Sequence, residues 1–390
     1  QEQAGFRKGK SCVDHIFVLR QILEQSCEWN STLYAVLVDF QKAFDSLHRE
    51  SLWKILRHYD IPQKLVHIIQ SLYENFECRV IYNNQLTEPF AVNTGVKQGC
   101  ILSPVLFSLA IDWIMKNTTE GKRQGLQWTL TSILEDLDYA DDLSLLSSRH
   151  QDIQQKTELL GATASKIGLK VNTKKTQVLR VNTTNRNPVL IDSKPIEDVE
   201  EFTYLGSKVT TTGDCNKEID TRISKANQAF AMLKTIWRST ALNSRTKIKI
   251  FNSNVLSVLL YGSECWKTSL LIERKLEVFQ TKSLRRILNI FWPNTISNEN
   301  NWDDYNIRDH PSKTLAMAWS CPAHAPPPNS LPRVALRWTP QGKRNRGRPK
   351  ETYRRTALKD LKSRGLSMET APRVAADRAR WKSLVDASST

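Results

Sequence analysis

"LEDLDYADDLSLLSS", residues 134 to 148, sets two adjacent aspartates, Asp141 and Asp142, between two apolar runs. Two short strands joined at a tight acidic turn account for such a pattern, because Asp tolerates turn conformations. That is the simpler account of an isolated Asp-Asp pair, and it gives way to a metal site only where the chain has reason to bind metal and polyanion and a second strand end brings another carboxylate. "TLYAVLVDF", residues 32 to 40, does so: a β-branched apolar run ends in Asp39. A carboxylate at the end of a buried strand is costly unless something pairs with it. If the two elements are neighbours in one antiparallel sheet, Asp39 meets the acidic turn. Side chains alternate across a strand, so one of the two adjacent aspartates faces Asp39. The expectation is a main pair of Asp39 and Asp141, with Asp142 as a weaker third. Hard oxygen donors without a local His or Cys point to magnesium rather than zinc.

The rest of the chain supplies the setting. At 390 residues and 44.7 kDa it can bury a sizeable core and is expected to hold two or more structural units. "QKAFDSLHRESLWKIL" (41 to 56) suits a helix with one buried face, and "ECRVIYNNQLTEPFAV" (77 to 92) alternates on both sides of Asn83-Asn84 like a hairpin. "GVKQGCILSPVLFSLAIDWIMK" (95 to 116) reads as a glycine loop opening a helix, with Ser103 as N-cap and Pro104 at the first helical position. A polar helix follows near 151 to 166, then a strand around "TQVLRV", and from about 214 to 290 the pattern is mostly helical. No apolar stretch is long and uncharged enough for a membrane span, and the start does not read as a signal peptide. Seven scattered cysteines without a C-x-x-C support neither a zinc site nor a disulfide framework, so a reducing compartment, nucleus or cytoplasm, fits.

Net charge is +16 and uneven: residues 301 to 390 hold 18 Lys or Arg against 8 Asp or Glu, leaving 38 against 32 before them. Basic excess of that size suggests a polyanionic partner, most simply nucleic acid. "KRNRGRPKETYRR" combines dense charge with Gly and Pro, a composition that follows a phosphate backbone rather than burying a core. Lys343, Arg344, Arg346, Arg348 and Lys350 are its candidate contacts. "RGRPK" is similar to an AT-hook, and a plain basic linker before the final helix is the alternative.

Five blocks, "AVLVDFQKAFDSLHRESLW", "NTGVKQGCILSPVLFSLAID", "DYADDLSLLS", "GLKVNTKKTQVL" and "FTYLGSKV", resemble in order the blocks of reverse transcriptases from non-LTR (LINE-type) retrotransposons. "QAGFRKGKSCVDHI" resembles the block before them, and "LLYGSECW" with "RRILNIFWP" the segment after. The tail from "RVALRWTPQGK" onward is similar to that of the RTE-like clade. The resemblance implies an α+β fold: a right-hand polymerase palm with partial fingers over 1–212, an α-helical thumb-like region over 213–297, an irregular linker over 298–332 and a basic segment over 333–390. It implies Asp39, Asp141 and Asp142 as catalytic carboxylates holding two Mg²⁺ ions, with Mn²⁺ as the alternative, and RNA template, DNA primer and dNTPs as partners. Phe40, Phe44, Gln98, Gly99, Lys175 and Arg7 are carried over as substrate-binding positions. Phe44 would exclude a ribose 2′-hydroxyl; as a plain core phenylalanine it would do nothing of the kind. Gln98-Gly99 would approach the nucleotide, while Gly95 suits a simple helix-entry turn.

The resemblance also implies departures. The earlier fingers blocks and the N-terminal endonuclease of such elements are expected to be missing, and "CPAHAPPPNS" interrupts the helical text. Two other readings therefore stand beside a polymerase: an inactive remnant that still binds nucleic acid, and another palm enzyme, an RNA-dependent RNA polymerase or a nucleotide cyclase. Phe44 and "QGCILSP" match reverse transcriptases better than the latter.

Overall fold

The acidic stretch folds as a hairpin, with Asp136–Tyr139 and Asp142–Ser147 antiparallel and Tyr139 opposite Asp142. The structure is a computed structural model, and it describes residues 4–7, 9–267, 269–291, 330–344, 351–375, 377, 380, 381 and 383. The hairpin forms one edge of a five-stranded sheet in the order Glu197–Val199, Gln177–Val181, Leu33–Val38, Asp142–Ser147, Asp136–Tyr139. All pairings are antiparallel except that of the first two strands. Leu33–Val38 is central and buried at every position, which is why it reads as an unbroken apolar run. Its Tyr34, Val36 and Val38 join Leu143, Leu145 and Val178 in a core with Leu106, Phe107 and Ile111 of the Ser103–Thr119 helix and Ile153 and Leu160 of the His150–Ser165 helix. Helices thus cover one face of an antiparallel sheet, the α+β palm-like arrangement expected.

Local details follow the sequence with one adjustment. Asn83 and Asn84 both take positive φ (48° and 59°), the sign pattern of a type I′ turn, between the paired Ile81–Tyr82 and Gln85–Leu86. The Ser103–Thr119 helix starts one residue earlier than expected: Leu102 is the N-cap, without a side-chain hydrogen bond, and Ser103 is already helical. Pro104 still falls in the first turn, where its missing N–H is harmless.

The chain divides into two compact units, one from the spans Gln1–Cys12, Trp29–Phe202 and Pro340–Lys343, the other from Val13–Glu28, Thr203–Thr339 and Arg344–Thr390. These units are not consecutive in sequence, unlike the parts expected with bounds at 212, 297 and 332. The reason lies in the Cys12–Trp29 helix, most of which belongs to the second unit: Arg20 donates to Ser207 Oγ (3.0 Å), Lys208 O (2.6 Å) and Cys215 Sγ (3.3 Å). In that unit the helices Asn216–Met232, Ser244–Phe251 and Leu270–Ile287 enclose Phe251, Leu259, Trp266 and Leu276. The described part of the basic C-terminal segment is packed, which its composition did not suggest. Thr352 caps the Tyr353–Ser363 helix by accepting from the Arg355 N–H, and Tyr353 is buried with its ring 5.1 Å from that of Phe17. Of the expected linker, residues 298–329 lie outside the described residues. The six described cysteines are unbridged, and no helix among the described residues is long and apolar enough to cross a membrane.

Candidate active site

Antiparallel register decides which aspartates meet. The central strand pairs Val38 with Leu143, so one step further along the same register sets Asp39 opposite Asp142. Directly opposed residues of an antiparallel pair project to the same side. Asp141 occupies the turn itself, after Ala140 in the left-handed region at φ 57°. Continued in this way, the register aligns Asp142 with Asp39, where Asp141 was expected to face it, and leaves Asp141 in the adjoining turn.

Asp39 is fixed from the other side by a turn whose role the sequence does not announce. Its N–H donates to Thr176 Oγ1 (3.2 Å), its carbonyl accepts from the Asn172 N–H (2.8 Å), and its Oδ2 accepts from Asn172 Nδ2 (3.1 Å). Lys175 Nζ lies 4.0 Å from the same oxygen and is largely exposed. In "NTKKT" the lysine draws the eye, yet Asn172 and Thr176 orient the carboxylate.

The three carboxylates make a negative field. Partial burial first, then the like charges of Asp141 and Asp39, push the Asp142 carboxyl up from 3.8 to about 6. A hard divalent cation would relieve this repulsion, and an all-oxygen donor set suits Mg²⁺. Among the described residues no three His, Cys, Asp or Glu side chains converge tightly enough to hold a metal alone.

Beneath the hairpin lies a charge that the pattern did not reveal. Lys156 is fully buried and donates to Glu135 O (3.0 Å) and Leu146 O (2.7 Å), with its Nζ 2.5 Å from Glu135 Oε2. Burial lowers its pKa, against the pull of Glu135. Removing one partner of a buried pair typically costs about 3–5 kcal/mol, so this lysine acts as a structural pin for the hairpin's base.

The remaining positions divide. Phe44 is half-buried and stacks on Phe107, with centroids 4.4 Å apart, so it is a core-backed ring with one open side. Phe40 departs from expectation: its ring is buried in the core and opposite Val171 in the chain pairing, so the side chain is not offered to a substrate. Gln98 is exposed and its Nε2 donates to Asp45 Oδ1 (3.3 Å). The two loop glycines differ in what surrounds them. A Cβ on Gly95 would stand 2.6 Å from Asp45 and Phe44 backbone atoms, whereas one on Gly99 would meet nothing within 4 Å. Close packing against the protein's own backbone thus belongs to Gly95, while Gly99 takes a φ of 82° with open space beside it. Arg7 is exposed, in a segment anchored by the Ala4 N–H on Asp138 O (2.9 Å). In the tail, Lys343 is exposed, Arg344 pairs with buried Glu28 (3.4 Å), and Arg346, Arg348 and Lys350 lie outside the described residues.

With this geometry in place, comparison with known families is decisive. Residues 1–209, more than half of the chain, match the model described as reverse transcriptase (RNA-dependent DNA polymerase). The chain belongs to the reverse transcriptase family. A second model, of a domain of unknown function, matches residues 229–261. Among curated relatives, it is 26% identical over 275 residues to the Retrovirus-related Pol polyprotein from type-2 retrotransposable element R2DM of Drosophila melanogaster, covering 67% of this chain and 26% of that one. It is 25% identical over 302 residues to the Probable RNA-directed DNA polymerase from transposon BS of the same organism, covering 73% and 32%. Its relatives thus include proteins of non-LTR retrotransposons, and it spans well under half of their length. Apo telomerase from Candida tropicalis is a structural neighbour, with a TM-score of 0.42 at 14% identity, covering 96% of this chain and 56% of that one.

Proposed function

We propose that this chain is the catalytic part of the RNA-directed DNA polymerase of an RTE-like non-LTR retrotransposon, adding dNTPs to a DNA primer on an RNA template. The observation that carries the reading is the opposition of Asp39 and Asp142 across neighbouring strands with Asp141 in the adjoining turn. Two Mg²⁺ ions on these carboxylates would supply activation of the primer 3′-hydroxyl and neutralise charge on the triphosphate and the departing pyrophosphate. The chain's own residues do the rest. Asn172 and Thr176 hold Asp39 in place, and Lys175 adds positive charge beside it for the triphosphate. Phe44, braced by Phe107, forms a wall that crowds a 2′-hydroxyl, and Gln98 lies next to it on the Asp45 carboxylate. In this reading the sheet is the palm, residues 213–297 act as thumb, and the basic tail adds affinity for nucleic acid without sequence contacts.

Primer extension on an RNA template with Mg²⁺ and dNTPs tests it. Extension by the wild type, abolished in Asp39→Asn with template affinity unchanged, is the expected result, because the carboxylate acts on the reaction while affinity comes from many phosphate contacts. Template binding without extension by the wild type identifies an inactive remnant instead.

A further inference from the structure

Arg49 opens the Arg49–His58 helix, where a basic residue gains nothing from the helix dipole, and its guanidinium turns to the loop before Gln98. Nη1 donates to Val92 O (2.7 Å), Nε to Gly95 O (3.0 Å) and Nη2 to Thr94 O (3.1 Å). Three carbonyls of one irregular segment are gathered by one planar fork. The guanidinium carbon also lies 4.9 Å from the Tyr73 ring centroid and 5.7 Å from that of Phe76, and Lys97 sits 4.2 Å from the latter while donating to Leu72 O. Two cations thus share a pair of rings.

The other edge of the same loop is bonded to the turn that carries Phe44. Val96 N–H donates to Phe44 O (2.8 Å), Gly95 N–H to Leu47 O (2.8 Å) and Thr94 Oγ1 to Asp45 O (3.0 Å). Gly95 presses against that turn without room for a Cβ. Loop and turn therefore move as one piece, and Arg49 closes the piece from behind.

We propose that Arg49 is a positioning residue for nucleotide selection: by clamping Val92, Thr94 and Gly95 it fixes the distance between Gln98 and the Phe44 wall. The proposal rests on the reading that Gln98 and Phe44 face the incoming nucleotide. Lysine at this position keeps the charge and the ring contact but cannot reach three carbonyls with a rigid fork. Gln98 and Phe44 hold the nucleotide in ground and transition state alike, so loosening them removes uniform binding and is read in KM rather than kcat.

Single-nucleotide addition by wild type, Arg49→Lys, Gln98→Ala and the double variant provides the test, with thermal melting as a check on folding. Arg49→Lys is expected to raise KM for dNTP by about tenfold with kcat changed by less than about threefold, and to narrow the preference for dNTP over rNTP. In the Gln98→Ala background the same substitution should add little, because both act through one contact. Thr94→Val, which cuts the exposed tether to Asp45 and leaves Arg49 in place, should shift KM in the same direction and decides the matter if Arg49→Lys does not fold. An unchanged KM and sugar preference in the folded variants overturns the positioning role while leaving the polymerase reading intact. A wild type that adds no nucleotide overturns both.

Discussion

At the scale of single residues the site trades stability for chemistry. Asp142 stands opposite Asp39 and beside Asp141, and its carboxyl titrates near 6 instead of 3.8 because the ionised form is disfavoured in the folded chain. The linkage has a definite sign: the group is ionised in the unfolded chain above its ordinary value but still protonated in the folded one, so stability falls as pH rises from about 4 to about 6 and stays lowered above that. Asp142→Asn should therefore melt higher than wild type at pH 8 in EDTA, lose that advantage towards pH 4, and extend no primer. Melting curves at the two pH values with a parallel extension assay check this. A variant that melts lower at pH 8 would contradict the mutual repulsion inferred for the three carboxylates. "DYADD" made the acidic turn legible in the sequence, but which aspartate meets Asp39 depended on strand register, which no local pattern contains.

At the scale of elements, the second unit couples its first helix to its last described ones through buried charge. Glu24 of the Cys12–Trp29 helix accepts from the Tyr353 N–H at 3.0 and 3.1 Å, and Arg355 Nη2 lies 2.6 Å from buried Glu28. Burial pushes the Glu24 carboxyl from 4.5 to about 7, although the Tyr353 N–H, Lys267 and Arg354 pull it down. A carboxyl with a raised folded value stabilises least once ionised. Stability of this unit should be greatest below about 4.5 and fall by up to about 3 kcal/mol as pH rises to about 7. Glu24→Gln keeps an acceptor for Tyr353 and should flatten that dependence. Urea unfolding at pH 5 and 7.5, followed for both proteins, measures it; equal pH dependence in the two would remove Glu24 from the account. The composition of the tail suggested a chain too charged to pack. It packs because Glu24 and Glu28, more than 300 residues away in sequence, supply the countercharge.

At the scale of the whole molecule the net charge of +16 remains the argument for a polyanionic partner, but not every basic residue is available for it. Arg344 and Arg355 pair with Glu28, and Arg354 donates to Gln25 and to the Ala335 carbonyl. Lys343, Arg346, Arg348 and Lys350 carry the remaining expectation for nucleic-acid binding. Replacing these four by Gln should weaken template binding and flatten the slope of log K against log salt, by about 0.7 for each single-strand phosphate that is no longer neutralised, or about 0.9 for duplex. Salt titrations of wild type and variant decide it. A slope that does not change would reduce the segment to a linker, and a preference for A·T-rich duplex that vanishes in the variant would favour the AT-hook form.

The sequence by itself determined the elements and their chemistry: an apolar strand ending in Asp39, an acidic hairpin, a glycine loop opening a helix and a basic C-terminal stretch are all local patterns of burial, alternation and turn preference. Only the tertiary structure decided which of these meet. Register, continued past Val38 and Leu143, aligns Asp142 rather than Asp141 with Asp39, the lack of room beside Asp45 requires a glycine at Gly95, and burial took the Phe40 ring into the core. The same holds for Lys156 and Arg49, which look like surface charges in a polar helix and at a helix start. Arg49 donates to main-chain carbonyls of another segment, Lys156 to two such carbonyls besides the Glu135 carboxylate, and a carbonyl has no letter in the sequence.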